Sequence, residues 1–380
     1  MVKFIPWEQI LTRLVEEQKL IPTLAEILQG IHNAHSARWS HIARHMRGHY
    51  AAAYKRLQRL VASFDPRPVL ARLCLDEAPF VLLDPTVMPR PQARKTAYVG
   101  RLPEGQRGFW LLVLSTPFRG RALPCGWLTY SSATIAEEGT SQPQEVRRLL
   151  ETLRALLQGR PLVADRGFHD RKFFAWLQQG GIPFIIRVKM RPYPLKLYDE
   201  AGNPLRPVLQ PGESRAWLQV RHHELTGLTL IGYWKQGHTQ PLWLLTTWPD
   251  PEQALKWYLQ RMKIEESFRD IKSLLGVTEN MNRQRLWMER TMGLVLLAYA
   301  IGYLAGELLR DIAWGNEPPP KQIVDWHKPQ QPRRAWYRYS GLFTLLRAQP
   351  PLSRAQRRRW RRLLSQLPTL FPHSLVQTHV

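Results

Sequence analysis

The sequence predicts an α/β protein: a mixed-sheet core interrupted by an all-β insertion, with a helical N-terminal domain and a helical C-terminal region. Three observations carry this. Apolar residues recur at helical spacing before residue 65 and after residue 250, short apolar runs of strand length fill much of the interval, and residues 189–250 show alternation broken by turn residues. The divisions that follow are 1–65, 66–188, 189–250, 251–312 and 313–380.

In the first division Ile10, Leu11 and Leu14, then Leu20, Leu24, Ile27, Leu28 and Ile31, repeat at intervals of three and four. Residues 36–60 set Ile42, Tyr54, Leu57 and Leu60 among Arg38, Arg44, Arg47, Lys55, Arg56 and Arg59, with Gly48 as a turn between two helices. That pattern suits a helix-turn-helix reader of DNA, and equally a basic solvated face on a helical bundle. Asp65-Pro66-Arg67-Pro68 ends the helical pattern.

Strand-like runs follow at 80–83, 108–115 and 125–130, then a helix at 143–158, a strand at 161–164, a helix at 171–179 closed by Gly180-Gly181, and a strand at 183–188. Strands first, then alternating helix and strand, define a mixed sheet. Within 189–250 the alternating runs 216–220, 228–234 and 241–247 are separated by Gly202-Asn203-Pro204 and Pro211-Gly212. A helix is expected from Pro251 to about Leu275 and another from about Gln284 to Arg310, before Pro318-Pro319-Pro320. The last division is basic and aromatic: Arg333, Arg334, Trp336, Tyr337 and Arg338 form one cluster, and Arg354, Arg357, Arg358, Arg359, Arg361 and Arg362 surround Trp360, so it is expected to bind DNA, to dimerise or both, with an exposed arginine-rich helix end as the plain alternative.

Charge narrows the function. Over 380 residues, 54 Lys and Arg stand against 30 Asp and Glu, leaving +24. A polyanion is the expected partner, and nucleic acid leads because basic surfaces release counterions condensed on phosphates. The longest uncharged apolar run, between Arg290 and Glu307, is shorter than the roughly 18–20 residues that span a bilayer, so it reads as a core helix and no membrane partner is expected. The N-terminus shows no secretory signal. Cys74 and Cys125 are the only cysteines, without a CxxC or a Cys/His cluster. That disfavours structural zinc and fits unlinked thiols in a reducing cytosol.

The chemistry concentrates in residues 257–275. At about 100° per residue, Tyr258, Arg261, Glu265 and Lys272 share one stripe of a helix, beside an apolar stripe of Trp257, Ile264, Phe268, Ile271 and Leu275 that would dock it on the core. The plain alternative is a solvent-exposed i,i+4 pair of Arg261 and Glu265, worth a few tenths of a kcal/mol. Two aspartates end short apolar runs: Asp84 after Phe80–Leu83, and Asp165 after Pro161–Ala164. Singly each reads as a turn former or helix cap. With Glu265 they could make the three-carboxylate cluster of two-metal phosphoryl transfer, in which two Mg²⁺ or Mn²⁺ ions take ionised oxygen ligands. Asp76 is the other candidate for the first position, but it precedes the apolar run. His169 reads as a surface histidine, since this chemistry needs no protein base.

The pattern Y-x2-R-x3-E-x6-K, here Tyr258, Arg261, Glu265 and Lys272, with D-P-T at Asp84 and D-R-G-F at Asp165, resembles the DDE transposases of bacterial insertion sequences, in particular the insertion sequence 4 family. The resemblance covers about residues 75–310; its one departure is Pro85, where an acidic or polar residue is common. It implies an RNase H-like catalytic core with a β-rich insert between the second aspartate and the glutamate. It implies that Asp84, Asp165 and Glu265 bind two divalent ions, and that Tyr258, Arg261, Lys272 and Arg166 contact the DNA end. One of Trp234, Trp243 and Trp248 would stack on a flipped base. The implied activity is cut-and-paste transposition, by hairpin formation, of double-stranded DNA with terminal inverted repeats into target DNA. It would be carried out by a homodimer in a bacterial, nucleoid-associated cytoplasmic setting. Competing expectations are an inactive domesticated DNA-binding protein and a structure-specific nuclease on the same fold.

Overall fold

The computed structural model describes residues 5–74, 77–190, 195–315 and 340–367. Asp76 and the cluster from Arg333 to Arg338 lie outside the described residues. Five helices open the chain: α1 (Trp7–Leu11), α2 (Ile21–Ala34), α3 (Trp39–Arg44), α4 (Tyr50–Ser63) and α5 (Arg67–Ala71). Between α3 and α4 the chain turns at Gly48, whose φ of 85° favours glycine. Strands β1 (Val81–Pro89), β2 (Gly100–Arg101), β3 (Arg107–Phe118) and β4 (Arg121–Tyr130) follow, then α6 (Ser132–Glu138), α7 (Gln142–Thr152), β5 (Leu162–Ala164), α8 (Arg171–Gln179) and β6 (Phe184–Arg187). The remainder is β7 (Ser214–His222), β8 (Leu225–Tyr233), β9 (Leu242–Thr246), α9 (Pro251–Leu259), α10 (Met262–Leu274), α11 (Arg285–Trp314) and, after a short turn of helix at Gly341–Phe343, α12 (Arg354–Ser365).

Among the described residues the strands form one sheet, in the order β4-β3-β1-β5-β6-β9-β8-β7, with β2 paired to the end of β3. The first three long strands are antiparallel, while β1, β5 and β6 run parallel. This is the mixed α/β core expected of an RNase H-like architecture. The strands of the 189–250 segment do not form a separate layer: β9 pairs antiparallel with β6, so the insertion prolongs the core sheet. Consecutive apolar residues in β8 and β9 give these strands two apolar faces, which enter the clusters on either side of the sheet, and the pairing covers an edge of β6 that would otherwise be open.

Both faces of the sheet are covered, as the alternation of β1 shows. Phe80 and Leu82 belong to one apolar cluster, with α2, α10 and α11, and Val81 and Leu83 to another, with α7 and α8. The first cluster is continuous from Ile5 to Leu367, so the N-terminal helices share their core with α11 and α12. α11 is long and apolar enough to cross a membrane, but the whole of its apolar window is buried inside the fold. Its surroundings are therefore protein.

Three expectations are corrected. Asp84 lies within β1 and not at its end, because β1 continues to Pro89 along β3 after its pairing with β5 stops at Leu83. The helix expected from Pro251 to Leu275 is two helices, broken at Gln260–Arg261. There the N–H groups of Gln260, Arg261, Lys263 and Ile264 each bond three residues back, at 2.9–3.1 Å, a tighter turn than the α-helix makes. Finally, Cys74 and Cys125 are joined as a disulfide with Cα atoms 5.3 Å apart, since α5 packs on β4 and brings the residue just past its end over that strand. The cysteine argument for a reducing compartment falls with it.

Candidate active site

Register builds the first half of the site. Leu83 pairs with Ala164 across the parallel strands β1 and β5, so the residues that follow, Asp84 and Asp165, are neighbours at the point where that pairing ends. Alternation sends both to the same face. Asp84 follows Phe80 and Leu82, and Asp165 follows Val163, and those three residues belong to the cluster that also contains Tyr258, Ile264 and Phe268. Both aspartates therefore point at the α9–α10 side of the sheet.

The second half comes from that helix pair. Ile264, Phe268, Ile271 and Leu275 are buried, as the apolar stripe requires, and Trp257 is half-buried against Phe80. Two polar anchors fix α10 on β4: Ser267 Oγ accepts from Ala122 N at 2.8 Å, and Asp270 accepts from Arg121 Nε at 2.8 Å. With the helix fixed, its other stripe meets the aspartates. Tyr258 donates its hydroxyl to Asp165 Oδ1 at 3.2 Å, and Arg261 reaches Asp84 Oδ2 with Nη1 at 3.5 Å while Nη2 bonds Glu265. Lys272 Nζ donates to Thr86 Oγ1 at 2.7 Å. The structure thus brings together Asp84, Asp165, Glu265, Tyr258 and Arg261, and sets Lys272 beside β1 two residues after Asp84.

The Asp84 carboxyl is pushed up to about 7, first by burial; Arg261 opposes the shift, and Glu265 and Asp165 add to it. Burial works against charge on Arg261, yet Asp84, Tyr258, Asp165 and Glu265 outweigh it and hold the guanidinium above its ordinary range. Tyr258 is raised to about 12 by burial and then by Asp165, so it is a donor, never a phenolate. Burial lowers Lys272 and takes Lys263 down to about 8.

Among the described residues no group of three or more His, Cys, Asp or Glu stands ready to hold a metal ion; here the guanidinium of Arg261 bridges Asp84 and Glu265. The donor set still fits hard divalent cations. It consists of carboxylates alone, from three elements, and their mutual repulsion on Asp84 is the potential such a cation relieves.

Arg187 is a site residue that pattern reading missed: its Nη1 lies 3.8 Å from Asp165 Oδ1. No local pattern in the sequence signals it: register brings it in, because Ala164 pairs with Ile186 and Arg187 is the next residue on β6. Arg187 and Arg166 also line a cavity of about 960 Å³ bounded by Lys189, Arg206, Trp234 and Trp243. Trp234 is half-buried, its indole N–H donating to His238 O at 2.8 Å. Trp243 is buried against Trp217, ring centroids 5.7 Å apart. Trp248 lies away from this lining and packs on Trp257, 5.0 Å between centroids. His169 is not a free surface group: Nδ1 accepts from Lys189 N at 3.2 Å and its ring stacks on Phe174.

Residues 131–301 match the family model described as a transposase DDE domain. The matched stretch contains Asp165, Tyr258, Arg261, Glu265 and Lys272 and begins after Asp84. That match covers less than half of the chain and describes a domain within it. Among solved structures the chain is similar to piggyBac transposase in a cryo-EM synaptic complex with hairpin DNA, at 11% identity and a TM-score of 0.46, covering 99% of this chain and 79% of that one. No curated protein matches the sequence.

Proposed function

We propose that this chain is a cut-and-paste transposase of the insertion sequence 4 type, excising and joining double-stranded DNA bounded by terminal inverted repeats and acting as a homodimer on the paired ends. One observation supports it above the others: residues 84, 165, 258, 261 and 265, distant in sequence, meet through the Tyr258–Asp165, Arg261–Asp84 and Arg261–Glu265 contacts. A structural helix pair has no need of that convergence.

In this reading Asp84, Asp165 and Glu265 would hold Mg²⁺ or Mn²⁺, two per site; when bound, such ions stabilise charge on the attacking and leaving oxygens of an in-line displacement. Tyr258 fixes the rotamer of Asp165 by donating to it. Arg261 and Lys272 offer their cations to phosphate oxygens of the DNA end. Arg187 and Arg166 extend the positive surface from Asp165 into the adjoining cavity. Water hydrolyses one phosphodiester at each end, leaving a 3′-OH and a 5′-phosphate; the 3′-OH attacks a phosphodiester of the opposite strand, releasing the flanking DNA with its own 3′-OH and closing a hairpin; after hydrolytic reopening the 3′-OH attacks a target phosphodiester and releases a target 3′-OH. Each joining step exchanges one phosphodiester for another. An extruded base at the hairpin would enter the cavity, where the half-buried Trp234 is better disposed to stack than the packed Trp243 or Trp248.

Replacing Glu265 with Gln tests the assignment. Binding to a duplex carrying the flanking inverted repeats should persist while Mg²⁺-dependent nicking disappears; undiminished nicking refutes it. A strand-transfer assay on the native chain separates the transposase from a nuclease, because joined products require attack by the 3′-OH.

A further inference from the structure

The arginine row of α12 is used neither by the site nor by the mechanism. This helix is fixed on α11: Trp360 is fully buried and donates its indole N–H to Ala305 O at 3.0 Å, Gln356 Nε2 donates to Ile312 O at 3.0 Å, and Leu364 is buried beside them. A reciprocal cap between Ser353 and Gln356 closes its start. At 100° per residue, Arg354, Arg358 and Arg362 form one line opposite Trp360 and Leu364, about 12 Å from first to last, with Arg359 flanking it. All four are exposed.

Among the described residues nothing accounts for them. α12 contains no acidic residue, and among the described residues none of Arg354, Arg358, Arg359 and Arg362 forms a salt bridge. Like charges four residues apart work against a helix, so this one persists through its docking on α11. We propose that the Arg354–Arg358–Arg362 row is a phosphate-binding rail for duplex DNA of any sequence, separate from the DDE site. Three features choose the occupant. The row is carried on a helix held in place by Trp360 and Gln356, so its spacing is fixed, matching a regular array of charges more closely than a flexible acidic peptide does. Arginine's planar fork suits phosphate oxygens. An anionic membrane would need an apolar face to insert beneath the charged one, and the apolar face of α12 is already spent on α11.

The test is fluorescence anisotropy of the full chain with a random-sequence 30-base-pair duplex, titrated across salt concentrations. Replacing Arg354, Arg358, Arg359 and Arg362 together with Gln should weaken binding at least tenfold and reduce the slope of log K against log salt by about 3 to 4, since each lost phosphate contact removes about 0.9. The pair Arg358→Gln and Arg362→Gln should remove about half of that, and the four Arg→Lys changes should keep most of the slope. The paired and Lys variants also serve if the quadruple Gln variant does not fold. Unchanged affinity and slope in variants with native circular dichroism overturn the proposal, as does a selective loss of binding to phosphatidylserine vesicles with duplex binding intact.

Discussion

Tyr258 donates its phenolic hydroxyl to Asp165, 3.2 Å away, from the last turn of a helix to the end of a parallel strand 93 residues earlier. The ring is buried in the same apolar cluster as Ile264 and Phe268, so the side chain joins packing to site geometry. The two contributions separate by substitution. Tyr258→Phe keeps the ring and removes one hydrogen bond to a charged acceptor, worth about 1.5–3 kcal/mol. DNA nicking should fall about tenfold or more because Asp165 is no longer held in place, and stability should fall by no more than that one bond contributes. Tyr258→Ala should instead lower stability by about 3 kcal/mol or more. Nicking assays paired with thermal melts read both; equal melting losses in the two variants would contradict the division.

Asp84 gives a prediction in which stability and activity move oppositely. Its folded-state pKa of about 7 stands above the unfolded value, so the native chain holds this proton more tightly. The associated stability is present below about pH 4 and is lost as pH rises to about 7 and beyond. Asp84→Asn mimics the protonated form. In chelator-treated protein it should stabilise the fold by up to about 4 kcal/mol at pH 8 and by clearly less at pH 5, while cleavage is abolished. Urea unfolding at the two pH values measures the difference; an equal gain at both shows that burial of the charge is not its cause.

The helical signature was legible because it is local. Spacing put Tyr258, Arg261, Glu265 and Lys272 on one side and Ile264, Phe268, Ile271 and Leu275 on the other, and the packing keeps that division. The break at Gln260–Arg261 has no glycine or proline to announce it, so a continuous helix was the natural reading. Asp84 reads as a strand end because the apolar run stops at Leu83, yet β1 continues through Pro85. Beyond Leu83 β1 has lost β5 as a neighbour and is paired on one side only, where proline is tolerated. Arg187, and the attachment of the insertion to β6, depend on strand register between distant segments, which the order of residues does not specify. The three-carboxylate cluster was inferred from residue type and a resemblance; the bridging position of Arg261 between Asp84 and Glu265 is visible only in three dimensions.

The close approach of α11 to the Gly341–Phe343 turn depends on Gly306. A Cβ at residue 306 would stand 1.7 Å from the backbone oxygen of Gly341, and Gly341 N–H donates to Glu307 Oε1 at 2.8 Å. Backbone on both sides leaves no flexible side chain to yield. Gly306→Ala should therefore cost about 3 kcal/mol or more, above the usual range for overpacking, despite alanine's better helix propensity. Chemical denaturation checks this, and a stabilised Gly306→Ala protein would show that the turn does not seat on α11.

His32 is expected to weaken the fold in acid. Its ring is fully buried, with Nε2 2.9 Å from Ala298 O, and that carbonyl can only accept, so Nε2 carries the proton of the neutral ring. Nδ1 is buried and has no hydrogen-bond partner among the described residues. Protonation there would place a charge with nothing to solvate it, and burial accordingly lowers the pKa to about 4. Because the folded value lies below the unfolded one near 6.5, the contribution is complete above about pH 6.5 and is lost as pH falls to about 4, amounting to about 3 kcal/mol. His32→Gln retains an amide donor for Ala298 O and cannot titrate. Its stability at neutral pH should be lower through imperfect packing beside Gly302, but its decline between pH 6.5 and 4 should be shallower by about 3 kcal/mol. Parallel acid limbs for the native chain and the His32→Gln variant would show that another buried group governs acid unfolding.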